Sequence, residues 1–110
     1  MIYDELPFTA RLLVERGPDE GREFQLAGSG VLGRDPGAAI PLDDGHASRQ
    51  HARLDCGPDG TWTVTDLDSA NGTWVNARRV QGTQGLASGD RVRIGDSTIL
   101  VRYGKDTHSA

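Results

Sequence analysis

Three short segments of the chain concentrate groups that bind anions: Gly33-Arg34, Ser48-Arg49-Gln50-His51 and Asn71-Gly72-Thr73. An arginine presents a planar fork of N–H donors, which suits phosphate or carboxylate oxygens better than the point charge of a lysine. A serine hydroxyl and an asparagine amide add compact neutral donors. Glycine lets a backbone approach closely or take a positive φ. Taken singly, each segment is ordinary: Arg34 is a surface charge, Ser48 a turn residue and Asn71-Gly72 a hairpin turn. Their chemistry becomes specific only if a fold brings them to one place.

Other chemistries are suggested by pattern and fail on physics. Gly28-Ser29-Gly30-Val31-Leu32-Gly33 matches the dinucleotide fingerprint, but that loop must open a helix, and Arg34-Asp35-Pro36-Gly37 cannot start one. Asp66-Leu67-Asp68 with Asn71-Gly72 is faintly similar to a calcium loop. Its glycine falls one position late, and Ala77 stands where a bidentate glutamate is required. Ser48 and His51 suggest a nucleophile and base, yet nothing nearby is placed to orient the histidine. Cys56 falls on the inward side of an alternating run, where a thiol is inert. His46 and His51 lack companion ligands at metal spacing. Neither catalysis, a metal nor a cofactor is expected.

The elements that position these segments are strands. Runs rich in Val, Leu, Ile, Thr and Trp recur between turn clusters, which predicts an all-β sandwich or barrel, and no long window keeps a helical period. Strands are expected near Arg11–Glu15, Glu23–Leu26, Val31–Arg34, His51–Cys56, Thr61–Asp66, Thr73–Asn76, Arg91–Ile94 and Thr98–Tyr103, with short ones in 40–42 and 78–86. Gly17-Pro18-Asp19-Glu20-Gly21 and Gly57-Pro58-Asp59-Gly60 turn the chain back, and Asn71-Gly72 and Gly95-Asp96 are sites where positive φ is cheap. Alternation sends Ala52, Leu54, Cys56, Trp62, Val64, Val92 and Ile94 inward. Arg53, Asp55, Thr61, Thr63, Thr65, Arg91 and Arg93 go outward.

Length and composition bound the rest. The chain has 110 residues, 35% of them hydrophobic and 25% charged, and a net charge of −4. That suits one small domain and excludes a large multi-substrate enzyme. A single cysteine allows no internal disulfide, so a reducing, cytoplasmic setting is expected. No apolar run approaches the ~20 residues of a membrane helix, and Met1–Pro7 lacks the features of a secretory signal. Mild acidity argues against general nucleic-acid binding. The usage of Gly, Ala, Arg and Asp hints at a bacterial source. Residues 1–9 are expected to be a loosely held segment, 10–103 the domain and 104–110 a polar tail.

The order of the motifs carries more than any one of them. Gly33-Arg34 at a strand end is followed by Ser48-Arg49-x-His51 after an Asp-Asp-Gly loop. Next comes Asp66-x-x-Ser69-x-Asn71-Gly72-Thr73-x-Val75-Asn76, and then Leu86-x-x-Gly89-Asp90-Arg91-Val92-x-Ile94-Gly95. This series resembles the forkhead-associated (FHA) family over roughly residues 10–103. The resemblance implies a twisted antiparallel β-sandwich of two sheets whose loops at one end bind phosphothreonine in a partner protein, without catalysis. It implies phosphopeptide-binding roles for Arg34, Ser48, Arg49 and Asn71, with Asn71 holding the peptide main chain. His51 would tie together the loops that carry Arg34 and Ser48, while Gly33, Gly72 and Thr73 support the site. The implied partner is a substrate of a Ser/Thr kinase, or the kinase itself, and the isolated domain is expected to be monomeric.

The residues suit such a ligand. A phosphothreonine carries about −1.5 to −2 charges and three acceptor oxygens. Hydrogen bonds to charged groups contribute about 1.5–3 kcal/mol each, so two or three reach the ~8 kcal/mol of micromolar affinity after ordering costs. Three departures from the family pattern bear on peptide selectivity. Ala70 stands where many members carry a hydroxyl donor, and His46-Ala47 differs from the usual pair. Asn76-Ala77 replaces Asn-Gly, which predicts a longer loop there. The missing donor at Ala70 motivates a rival expectation, a phospho-independent interaction module using a sheet face.

Overall fold

The computed structural model describes residues 8–104. The strands are β1 (Thr9–Arg16), β2 (Glu23–Ala27), β3 (Ser29–Gly33), β4 (Ile40–Pro41), β5 (Ala52–Cys56), β6 (Trp62–Asp66), β7 (Thr73–Val75), β8 (Arg78–Arg79), β9 (Thr83–Leu86), β10 (Arg91–Ile94) and β11 (Ser97–Tyr103). They form a six-stranded sheet, β2-β1-β11-β10-β7-β8, and a five-stranded sheet, β4-β3-β5-β6-β9. The parallel pairing of β3 with β4 sets Leu32 against Ile40. Each expected strand is present within a residue or two, and the 40–42 and 78–86 segments hold β4, β8 and β9. The loosely held ends lie outside the described residues, except for Phe8, Thr9 and Gly104. Thr9 already belongs to β1.

Period-two alternation builds the core. Leu12 and Val14 from β1, Leu54 from β5, Trp62 and Val64 from β6, Val92 and Ile94 from β10 and Ile99 and Val101 from β11 pack into one cluster. Fully burying each large side chain stabilises the fold by about 1.5–3 kcal/mol. Cys56 is half-buried and packs on the core edge. The glycine-rich run Gly28–Gly33 lies largely in β3 and opens no helix.

One expectation is corrected. Asn76-Ala77 makes no longer loop. Val75 pairs directly with Arg78, so the two residues form a tight hairpin turn, both with positive φ (50° and 85°). This is the primed turn that matches strand twist. Asn76 holds it by donating to Asp90 at 2.9 Å and accepting from the Arg91 N–H at 2.9 Å. That pinning lets alanine occupy a conformation usually left to glycine.

Candidate functional site

The ends of β3, β6 and β10 and the starts of β5 and β7 meet at one end of the sandwich, because Leu32 pairs with Ala52, Ala52 with Asp66, and Ile94 with Thr73. Loops 34–39, 42–51 and 67–72 therefore converge there. Hydrogen bonds lock them together. The backbone N–H groups of Arg34 and Asp35 donate to Ser48 O and Arg49 O at 3.0 and 3.1 Å. Arg34 Nε donates to Ala47 O at 3.1 Å, and Asn71 Nδ2 donates to His46 O at 2.9 Å. The Ala70 N–H donates to Ser48 Oγ at 3.0 Å.

These bonds leave the anion-binding capacity directed elsewhere. Neither Nη group of Arg34 has a partner among the described residues. Ser48 Oγ accepts from Ala70, which leaves its own proton to donate. Arg49 is exposed, and its side chain makes no ion pair among the described residues. Asn71 Oδ1 also has no hydrogen bond among them. Arg34, Ser48, Arg49 and Asn71 are thus carried on three interlocked loops.

The supporting residues explain the rigidity. A Cβ at Gly33 would sit 2.1 Å from Arg49 O, so only glycine allows this strand end to pack on the Ser48-Arg49 backbone. His51 is fully buried. Its Nδ1 accepts from the Ser48 N–H at 2.9 Å and its Nε2 reaches Gly72 O at 2.8 Å, which assigns the Nε2–H tautomer. The ring thus joins the Ser48 loop to the Gly72 turn, whereas the Arg34 loop is tied in through the Arg34 and Asp35 N–H groups and the Arg34 side chain. Gly72 takes φ +88°, and buried Thr73 donates to Asp66 Oδ1 at 2.7 Å.

Asp66 and Ser69 form a small brace that motif matching left without a role. Ser69 Oγ donates to Asp66 and accepts from the Gly72 N–H at 2.9 Å. Burial pushes the Asp66 carboxyl up, but the hydrogen bonds from Ser69 and Thr73 outweigh it and leave the carboxyl below its ordinary range. Its oxygens are taken by these donors, which removes the calcium-loop similarity. A second brace centres on Asp44. Buried Asp44 accepts from the His46 and Asp96 N–H groups at 2.9 and 2.8 Å and from Ser97 Oγ at 2.7 Å. It clamps loop 42–51 to the β10–β11 turn.

His46 has companions that spacing did not reveal. Its Nδ1 lies 2.7 Å from Asp96 Oδ2, an exposed pair that raises the His46 pKa, and Asp44 is nearby. The donors on Asp44 already occupy that carboxylate. His51 bonds the Ser48 backbone N–H rather than its hydroxyl, so the two are not arranged as a nucleophile and its base. Burial, with Asp59 beside it, pushes the Cys56 thiol up and disfavours the thiolate.

Fold and site together define a β-sandwich recognition domain, and the FHA domain family model matches residues 30–95. The chain belongs to the FHA family. It is 42% identical over 103 residues to the oxoglutarate dehydrogenase inhibitor of Corynebacterium efficiens, covering 92% of this chain and 71% of that protein. It is 43% identical over 99 residues to the glycogen accumulation regulator GarA of Mycolicibacterium smegmatis, covering 87% of this chain and 60% of that one. A solved structure from a structural and functional analysis of phosphothreonine-dependent FHA domain interactions superposes with a TM-score of 0.77 at 34% identity. That match covers 93% of this chain and 99% of the other. Among the described residues no helix is long and apolar enough to cross a membrane.

Proposed function

We propose that the chain is a phosphothreonine-dependent protein-binding module of Ser/Thr kinase signalling, which grips a phosphorylated segment of a partner or of its own parent chain. One observation carries the reading: Arg34, with both Nη groups unpartnered among the described residues, and Asn71 are fastened to the loop that bears Ser48. Arg34 supplies the guanidinium fork to the phosphate, Ser48 its hydroxyl and Arg49 a second cation. Asn71 holds the main chain of the peptide. The local arginine pair outweighs the overall charge of −4, whose reach salt limits to about 8 Å.

The relatives are by name an inhibitor and a regulator, and both are longer than this chain. The role proposed here is the coarser one: recognition without catalysis, by a unit spanning residues 10–103, monomeric when isolated and cytoplasmic. Calorimetric titration with a phosphothreonine peptide, its unphosphorylated twin and its phosphoserine analogue tests the proposal. Micromolar binding of the first, none of the second and weaker binding of the third are expected, the last difference being roughly 1–3 kcal/mol for one methyl. Equal affinities for the first two would refute it.

A further inference from the structure

The outer face of the six-stranded sheet is strongly basic, although the chain as a whole is acidic. Cross-strand pairing sets Arg11 against Arg102, Arg93 against Trp74, and Trp74 against Arg79. Leu13 faces Leu100, which in turn faces Arg91. All five arginines are exposed. The guanidinium groups of Arg93 and Arg79 lie 4.8 and 5.7 Å from the centre of the Trp74 ring. Such stacking fixes each group while leaving its edge N–H donors available. Arg79, Arg93 and Arg102 have no acidic partner among the described residues.

Two shallow grooves score this face. One, of about 270 Å³, runs beside Arg11, Arg102, Leu13 and Leu100. The other, of about 440 Å³, lies beside Trp74, Arg91 and Arg93. Each combines arginine with an apolar wall. At ~4.8 Å between strands, β1 to β8 spans roughly 19 Å, the reach of about six extended residues.

We infer that this face docks an acidic, unphosphorylated stretch of a partner protein in which apolar residues separate the carboxylates. Charge complementarity selects the occupant, and the leucine and tryptophan walls select its apolar side chains. A nucleic acid suits the face less well. A phosphate backbone is charged at every residue and would bring charge against Glu23 in the first groove and against Glu15, which pairs with Arg91 at 2.7 Å. A peptide with spaced carboxylates can instead set apolar side chains at those points. The inference uses neither Arg34 nor Ser48, and although a hollow beside Trp74 and Arg93 reaches Asn71, the Arg34→Ala variant separates it from phosphothreonine binding.

The test is titration of the full chain with a short fluorescein-labelled peptide of alternating Glu and Leu, followed by anisotropy and by amide chemical shifts. Saturable binding with shifts around Arg11, Trp74, Arg93 and Arg102 is expected. Arg93→Glu with Arg102→Glu should weaken it about tenfold, the loss of two exposed charge pairs and their reversal. Arg34→Ala should leave it unchanged. The milder pair Arg93→Gln and Arg102→Gln, checked for an unchanged melting temperature, covers the case in which charge reversal unfolds the sheet. Shifts confined to the Arg34 loops, an affinity indifferent to both double variants, or tighter binding of an oligothymidine to the same face would overturn the inference.

Discussion

Arg34 and Asn71 hang from consecutive carbonyls of one loop: Arg34 Nε donates to Ala47 O at 3.1 Å and Asn71 Nδ2 to His46 O at 2.9 Å. The proposed phosphate donor and the proposed main-chain anchor, from loops far apart in sequence, are therefore fixed relative to each other before any ligand arrives. Preorganisation of this kind spares the ordering cost that otherwise erodes affinity.

Arg34→Ala should lower phosphothreonine-peptide affinity by about 100-fold or more, since two charge-assisted hydrogen bonds of about 1.5–3 kcal/mol each are lost. The fold should survive, because the only side-chain bond of Arg34 among the described residues is the one to Ala47 O, a neutral-acceptor bond costing about 1 kcal/mol. Calorimetry paired with thermal melting separates the two effects. Retained affinity in a folded variant would show that another group grips the phosphate.

Gly33→Ala and His51→Ala should act from beneath the site. The new methyl at Gly33 must displace the Arg49 carbonyl, 2.1 Å away, a strain of about 1–3 kcal/mol. Removing the His51 ring strands the Ser48 N–H and the Gly72 carbonyl, each costing about 1–3 kcal/mol. Both variants should melt earlier and bind more weakly, with no phosphate contact deleted. Wild-type stability in either would contradict the bracing described above.

Ala77→Gly should stabilise the protein by about 1 kcal/mol, because Ala77 holds φ 85° and glycine meets no steric penalty there. For a domain of this size that is roughly 4–8 °C in melting temperature. A lower melting temperature would mean that the turn does not hold alanine in a left-handed conformation.

Much of this architecture was legible in the chain. The alternation in Ala52–Cys56, Trp62–Asp66 and Arg91–Ile94 sorted core from surface, since a half-buried strand repeats every second residue. The Asn76-Ala77 turn was misjudged because residue type alone favours glycine there. Only the side-chain bonds of Asn76 to Asp90 and Arg91 reveal why alanine is tolerated. The Asp44 clamp on Asp96 and Ser97 was invisible for a different reason. Asp43-Asp44-Gly45 reads as a solvated turn, and its partners lie some fifty residues away. Contacts of that kind leave no period. The same holds for the His46–Asp96 pair.

The Asp44 clamp should be readable in acid. Burial pushes its carboxyl up, but the Ser97 hydroxyl and the His46 and Asp96 N–H groups outweigh that and hold it below the ordinary 3.8. A depressed folded pKa gives stability that is fully present above the unfolded value, near 3.9, and is lost as pH falls through the folded value. Asp44→Asn should therefore destabilise the protein at neutral pH and flatten the loss of stability below about pH 4. Denaturation midpoints measured across acid pH check this. An unchanged acid limb would place the titrating carboxylates elsewhere. His46 should behave oppositely. Its pKa is raised from 6.5 by the Asp96 hydrogen bond and charge, so its contribution is present below that value and fades as pH rises through the raised one. This exposed pair affects stability little.

The loop-end notch is tested most directly by amide chemical shifts recorded while a phosphothreonine peptide, and separately its unphosphorylated twin, is added to the labelled domain. The predicted result is large saturating shifts at Arg34, Ser48, Arg49 and Asn71 with the phosphorylated peptide and none with the twin. Shifts of equal size with both peptides, or shifts that leave these four residues unmoved, would contradict it.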